Sequence, residues 1–181
     1  MGKACPVTAF LSRRKQAIVE RLPANNRNSA PAAGEPSVDQ TNRRLLDELQ
    51  SDARITFAEL GRRVGLSPPA VAERVQRLEE AGVIAGYHAE LSPRALGFYL
   101  SALLRIRPAP NQLARVAELA RETAEVVECH RVTGDDCYFM KLHVRDVEHL
   151  EEVIDRFAPH GQTTTSIMQS SPVPGRGLPL G

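Results

Sequence analysis

The feature that most constrains this chain is a pair of apolar-striped segments separated by Gly65-Leu66-Ser67-Pro68. Upstream, Thr56 is followed three residues later by Glu59, a capping-box spacing that predicts a helix over about 57–64. Gly65 supplies the left-handed position that ends such a helix. Ser67 predicts the next N-cap, and Pro68 suits the first helical position, where a missing N–H leaves nothing unsatisfied. Val71, Val75 and Leu78 then recur at helical spacing, and Gly82 terminates the run. A further helix precedes the pair, with Ser37 as its cap, Asp39 and Gln40 in its opening turn, and Leu45, Leu46 and Leu49 as its stripe. A short helix, a glycine turn and a second capped helix predict a helix-turn-helix. Val83–Ala89 alternates like a short strand, which predicts the winged variant.

With Val71, Val75 and Leu78 inward, the opposite face of the third helix presents Pro69, Ala70, Glu73, Arg74, Gln76 and Arg77. The small residues Ser67, Pro68 and Ala70 let the N-terminal end approach base edges closely. Arg74 and Arg77 can pair guanine or hold phosphate, and Gln76 can address adenine. Arg43, Arg44, Arg54, Arg62 and Arg63 are candidate backbone clamps, which set register without reading sequence. Against this stands the charge balance, for residues 37–87 hold seven Arg and eight acidic side chains. An Arg/Glu mixture is also what a merely solvated helix face looks like. Weak charge per domain calls for a dimer or larger assembly to multiply affinity for double-stranded DNA.

Elsewhere, composition limits the choices. Residues 1–36 are a basic, Pro/Asn/Ala-rich extension with six Lys/Arg against Glu20 and Glu35, whereas residues 88–172 hold nine basic and twelve acidic side chains. Any polyanion surface therefore belongs upstream. Cys5, Cys129 and Cys137 have no metal-ligand spacing, and an odd count without a secretory signal suits a reducing cytoplasm. No stretch is long and apolar enough to span a bilayer. No Ser/His/Asp set, phosphate-binding loop or dinucleotide glycine pattern points to an enzyme or a cofactor.

After a linker at 91–97, the second compact segment covers 98–171, followed by a Pro/Gly-rich tail at 172–181; the first covers 37–90. Phe98–Arg107 reads as a strand, and Asn111–Arg121 as a helix with Leu113, Val116, Ala117 and Ala120 inward. Val126–Thr133 and Cys137–Val144 form a hairpin about Gly134-Asp135. Asp146 caps a helix burying Leu150, Val153, Ile154 and Phe157, and Gln162–Ser170 is a last strand. This β-α-β-β-α-β order is the ferredoxin-like plan, so the expected class is α+β. Pairing Thr133 with Asp136 would align Val127 with Leu142 and Cys129 with Met140 on the helix-covered face. Val126, Glu128, His130 and Val132 would then share the other face with Cys137, Phe139, Lys141 and His143. There Val132 and Phe139 need a cover, which a second copy's sheet supplies as a dimer interface. Splitting Cys129 from His130, Cys137 and His143 across two faces argues against a metal site.

The run from Val38 to Arg54, Glu59-Leu-Gly61, Val64-Gly-Leu-Ser67, Arg74 through Ile84 and Gly86-Tyr87 resemble Lrp/AsnC (feast/famine) regulators. So do Val132-Thr-Gly-Asp-Asp-Cys-Tyr-Phe-Met140 and Thr163-Thr-Thr-Ser-Ile167. The resemblance implies a DNA-binding transcriptional regulator whose dimers stack further, commonly to octamers. It also implies a free amino-acid effector near a Gly-Asp-x-Asp turn, matched here by Gly134, Asp135, Asp136, Cys137 and Tyr138. Cys137 stands where many relatives carry the second Asp, which removes an anionic partner. Two rival expectations share the architecture: a low-specificity architectural DNA-binding protein, and an enzyme similar to sirohaem decarboxylases.

Overall fold

The computed structural model describes residues 38–180, so the 1–36 extension, Ser37 and Cys5 lie outside the described residues. The chain divides into two units, one of residues 38–88 with 176–180, the other of residues 89–175. No helix among the described residues is long and apolar enough to cross a membrane.

The first unit is helical: α1 Gln40–Ser51, α2 Phe57–Val64 and α3 Pro68–Glu80. Asp39, not Ser37, is the N-cap of α1; its carboxylate accepts from the Asn42 N–H at 2.6 Å. The first helix therefore starts inside the expected cap, because an Asp one turn before the stripe satisfies the same orphan amides. Thr56 Oγ1 accepts from the Glu59 N–H at 3.2 Å, as the capping box requires. Glu59 does not reach back to Thr56, because Arg62 and Arg63 take its carboxylate instead. Gly65 adopts φ 77°, and its N–H and that of Leu66 both close on the Gly61 carbonyl at 2.8 and 2.9 Å. The core under the turn holds Leu45, Leu49, Leu60, Val64, Val71 and Val75.

The expected wing strand at Val83–Ala89 is not formed. A lone strand has no ladder partner in a three-helix unit, so the alternation alone cannot make one. Instead Val83 and Ile84 donate to the Leu78 carbonyl and fold the chain back on α3. The Tyr87 hydroxyl donates to Glu79 at 2.9 Å, and partial burial with that bond pushes the phenol up to about 12.

The second unit is an antiparallel sheet in the order β2-β3-β1-β4, with β1 Leu100–Pro108, β2 Val126–Arg131, β3 Tyr138–Val144 and β4 Gly161–Ile167. Helices α4 (Leu113–Glu122) and α5 (Val147–Phe157) complete the β-α-β-β-α-β order. One sheet face and both helices bury Leu104, Ile106, Val116, Met140, Leu142, Val153 and Phe157. Strand β3 alternates strictly, with Tyr138, Met140, Leu142 and Val144 buried between half-buried neighbours.

The hairpin register departs from expectation at one point. Cys129 pairs with Met140, but a bulge between Val126 and Glu128 sets Val126, rather than Val127, opposite Leu142. Val126 consequently packs against the core, and Val127 is exposed. The extra residue reverses the alternation locally, which two adjacent valines cannot reveal. Cys129 is exposed rather than buried, since it lies on the edge strand.

Candidate nucleic-acid interface and effector turn

Helix α3 carries the first candidate site. Its buried stripe is Val71, Val75 and Leu78, which leaves Ser67, Pro68, Pro69, Glu73, Gln76 and Arg77 exposed, with Ala70 and Arg74 half-buried. Ser67 occupies the N-cap position, yet its side chain makes no capping bond. Pro68 and Pro69 carry no N–H, so the first turn of α3 offers only the Ser67 hydroxyl and the Ala70 amide, with no acidic residue among them. That arrangement leaves the end small and uncharged, open to close approach.

Arg62, Arg63, Arg74 and Arg77 are held by carboxylates. Arg74 bridges to the start of α1, donating to Asp39 at 2.9 Å and to the Asn42 side-chain oxygen at 3.0 Å. The Asn42 amide, then Arg74, hold the Asp39 carboxyl below its ordinary range. Arg77 pairs with Glu73 one turn back, and Gln76 donates to Glu80 at 2.7 Å. Glu59 accepts from both Arg62 and Arg63, and those two bonds bring its carboxyl down to about 2. Arg63 also reaches Glu48 at 2.6 Å, and Arg44 donates to the Arg63 carbonyl at 3.1 Å. Arg54 is exposed in the α1–α2 connection. Exposed pairs of this kind are screened by water and contribute little, so a phosphate can replace the carboxylate at little cost. Arg74 differs, because its partners lie on another helix and orient α3 against α1.

The second candidate site is the β2–β3 turn. Gly134 adopts φ 113°, a conformation an L side chain rarely takes. The Val132 N–H donates to the Cys137 carbonyl at 2.9 Å, and the Cys137 N–H donates to Ile106 at 3.0 Å. Both turn carboxylates face β1: Arg107 lies 3.4 Å from Asp135 and also donates to its backbone carbonyl at 3.0 Å, while Arg105 lies 3.5 Å from Asp136. The Arg105 guanidinium sits 5.8 Å from the Phe139 ring centroid, which covers part of the outer sheet face from within the same chain. Tyr138 is turned into the core, where its hydroxyl donates to the Leu113 carbonyl at 3.2 Å. Cys137 is half-buried against the same core, and Val132 is also half-buried. Sequence reasoning missed Arg105 and Arg107. The available signal was their spacing of two on β1, which puts both on one face.

A three-helix unit with an exposed, capped third helix, joined to a β-α-β-β-α-β unit, defines a two-part helix-turn-helix transcriptional regulator. Residues 38–79 match the AsnC-type helix-turn-helix domain, and residues 101–178 match the Lrp/AsnC ligand binding domain. The HTH-type transcriptional regulator YezC of Bacillus subtilis is 38% identical over 134 residues, spanning 74% of this chain and 95% of that protein. The structure of B. subtilis LrpC superimposes with a TM-score of 0.74 at 30% identity, covering 77% of this chain and all (100%) of the other. A feast or famine regulatory protein from M. tuberculosis, complexed with L-methionine, gives 0.70 at 33% identity, covering 78% and 99%. The chain belongs to the Lrp/AsnC family of transcriptional regulators.

Proposed function

We propose that α3 enters the major groove of double-stranded DNA and that an amino acid bound at the β2–β3 turn alters this binding. The observation that carries the first half is the exposed N-terminal end of α3, where small residues and the uncapped Ser67 hydroxyl meet no acidic side chain in the first turn. Ser67, Pro68, Pro69 and Ala70 allow close approach, and Glu73, Gln76 and Arg77 read base edges. Arg74 holds the helix in position and offers its remaining donors to phosphate. Arg54, with Arg62 and Arg63, serves as a backbone clamp.

For the effector, the L-methionine complex of a relative sets the chemical class. Gly134, Asp135, Asp136 and Cys137 provide a turn whose carboxylates can receive an α-ammonium. Arg105 and Arg107 can then take the ligand's carboxylate, compensating for the acidic group that Cys137 replaces. Tyr138 supports the turn from beneath. The outer sheet face, with Phe139, Val132 and the exposed Leu103, pairs with a second copy, and dimers stack into a larger assembly such as an octamer in the cytoplasm.

The test is mobility shift of the purified protein on its own upstream DNA, with and without amino-acid pools. Selective shifts changed by one pool support both halves. An indifferent shift leaves the DNA reading standing and reduces Gly134–Tyr138 to a structural turn. Failure to shift at low salt removes the DNA reading.

A further inference from the structure

Beyond β4 the chain becomes Pro172-Val-Pro-Gly-Arg-Gly-Leu-Pro-Leu-Gly181, and its final stretch belongs with the helical unit. One side chain of α1 grips the main chain of Leu178 on both sides. The Leu178 N–H donates to Gln50 Oε1 at 2.6 Å, and Gln50 Nε2 donates to the Leu178 carbonyl at 3.2 Å. Arg43 donates to the Leu180 carbonyl at 2.5 Å. Arg43 and Gln50 lie seven residues apart, two turns along one face of α1. Leu178 and Leu180 are alternate residues, and the carbonyls of both accept from side chains of α1. Gly177 permits the approach, for a Cβ there would stand 2.5 Å from Gln50 Oε1 and 2.8 Å from its Cδ. Pro179, between the two held residues, has a fixed φ that lowers the entropy lost on docking.

Arg43 is one of the arginines available as a phosphate clamp, and the tail carbonyl occupies it. We propose that residues 176–180 form a clasp on α1 that withholds Arg43 from DNA phosphate. The withholding rests on the DNA-binding reading above; the clasp does not. A neutral carbonyl is a weaker acceptor than a phosphate oxygen, so the clasp lowers affinity without abolishing binding.

The Gln50 Cβ lies 3.2 Å from a Cβ built at 177, close to the roughly 3.5–4.5 Å that a disulfide needs. The full-length double variant Gln50→Cys/Gly177→Cys, treated with mild oxidant, should form that bond within one chain, located by peptide mass after digestion. Reduction should then tighten binding to upstream DNA about threefold and steepen the salt slope by about 0.9 per bound subunit, one phosphate's share. Truncation after Gly175 should give the same gain even though it removes the cation Arg176, and Arg43→Ala should erase it in both backgrounds. Absence of the 50–177 disulfide, or its formation only between chains, overturns the clasp. A disulfide that leaves affinity and slope unchanged on reduction, or a gain that survives Arg43→Ala, overturns the withholding. If no variant binds DNA, the DNA reading fails and withholding falls with it, while the disulfide still decides the clasp.

Discussion

Gly161 opens β4 opposite Pro108, and its replacement by alanine tests the packing of the second unit. Its backbone is extended, with φ 163°, so any residue could adopt the conformation. Space is the obstacle. A Cβ would overlap the Arg107 carbonyl oxygen and stand 2.8 Å from Pro108 Cα and 2.9 Å from the Arg107 carbonyl carbon. Ordinary carbon contacts need about 3.5–4.0 Å, so backbone must yield by roughly 0.7 Å or more. Overpacking of this sort costs about 1–3 kcal/mol. Parting the strand ends also endangers the bond from the Ala109 N–H to the His160 carbonyl at 2.8 Å. That loss adds about 1 kcal/mol. The stiffer unfolded chain returns about 0.4–1 kcal/mol. The net expectation for Gly161→Ala is about 1–3.5 kcal/mol, or a fall of roughly 4–28 °C in the melting temperature of a unit this size. Scanning calorimetry of the full chain reads it directly. A variant melting within about 2 °C of wild type would refute the steric argument, since the backbone contacts would then be relieved at almost no cost.

Three other outcomes are expected. Glu125 is opposed by partial burial, but hydrogen bonding from His149 at 2.9 Å and the nearby Arg156 bring its carboxyl below the ordinary value of 4.5. With the folded value depressed, its stabilisation is present above 4.5 and drains as pH falls through the lower folded value. Urea midpoints measured between neutral and acid pH should lose this component in Glu125→Gln, and an unchanged acid limb would remove Glu125 from the account. Gly134→Ala meets no neighbouring atom within 4 Å, so its cost comes only from the φ of 113°. Strain there should cost about 1–2 kcal/mol in a denaturant titration, and a wild-type midpoint would mean the turn relaxes freely. Arg77→Ala should relax discrimination at one base pair by about 1–3 kcal/mol, whereas Arg54→Ala should weaken all sequences alike. Competition shifts with single-base operator variants separate the two, and equal losses on every variant would make Arg77 a phosphate contact.

What sequence conveyed depended on how local the signal was. The α2–turn–α3 element was legible because Thr56, Gly65 and Pro68 act on amides within a few residues of themselves. The faces of α4, α5 and β3 were legible for the same reason, as their periods report burial directly. The bulge at Val126/Glu128 was not, because either neighbouring valine could face inward and only the sheet decides. Nor was the missing wing, since strand alternation says nothing about whether a partner exists. The candidate sites were named from helix faces and a turn, but the pairings across 35 residues for Arg74–Asp39 and 28 for Arg107–Asp135 depend on tertiary placement. The tail's hold on Gln50 uses main-chain groups, which every residue carries and no motif announces.

The anchoring of Arg74 on Asp39 and Asn42 has an evolutionary consequence. On the proposed DNA reading, keeping α3 in place and choosing its target fall to different side chains. Pro69, Glu73, Gln76 and Arg77 can be exchanged for other readers without loosening the helix that presents them. If those four surface positions read the operator as proposed, a lineage, or a designer, could retarget this regulator by altering them, while substitutions at 39, 42 or 74 would disturb every target at once.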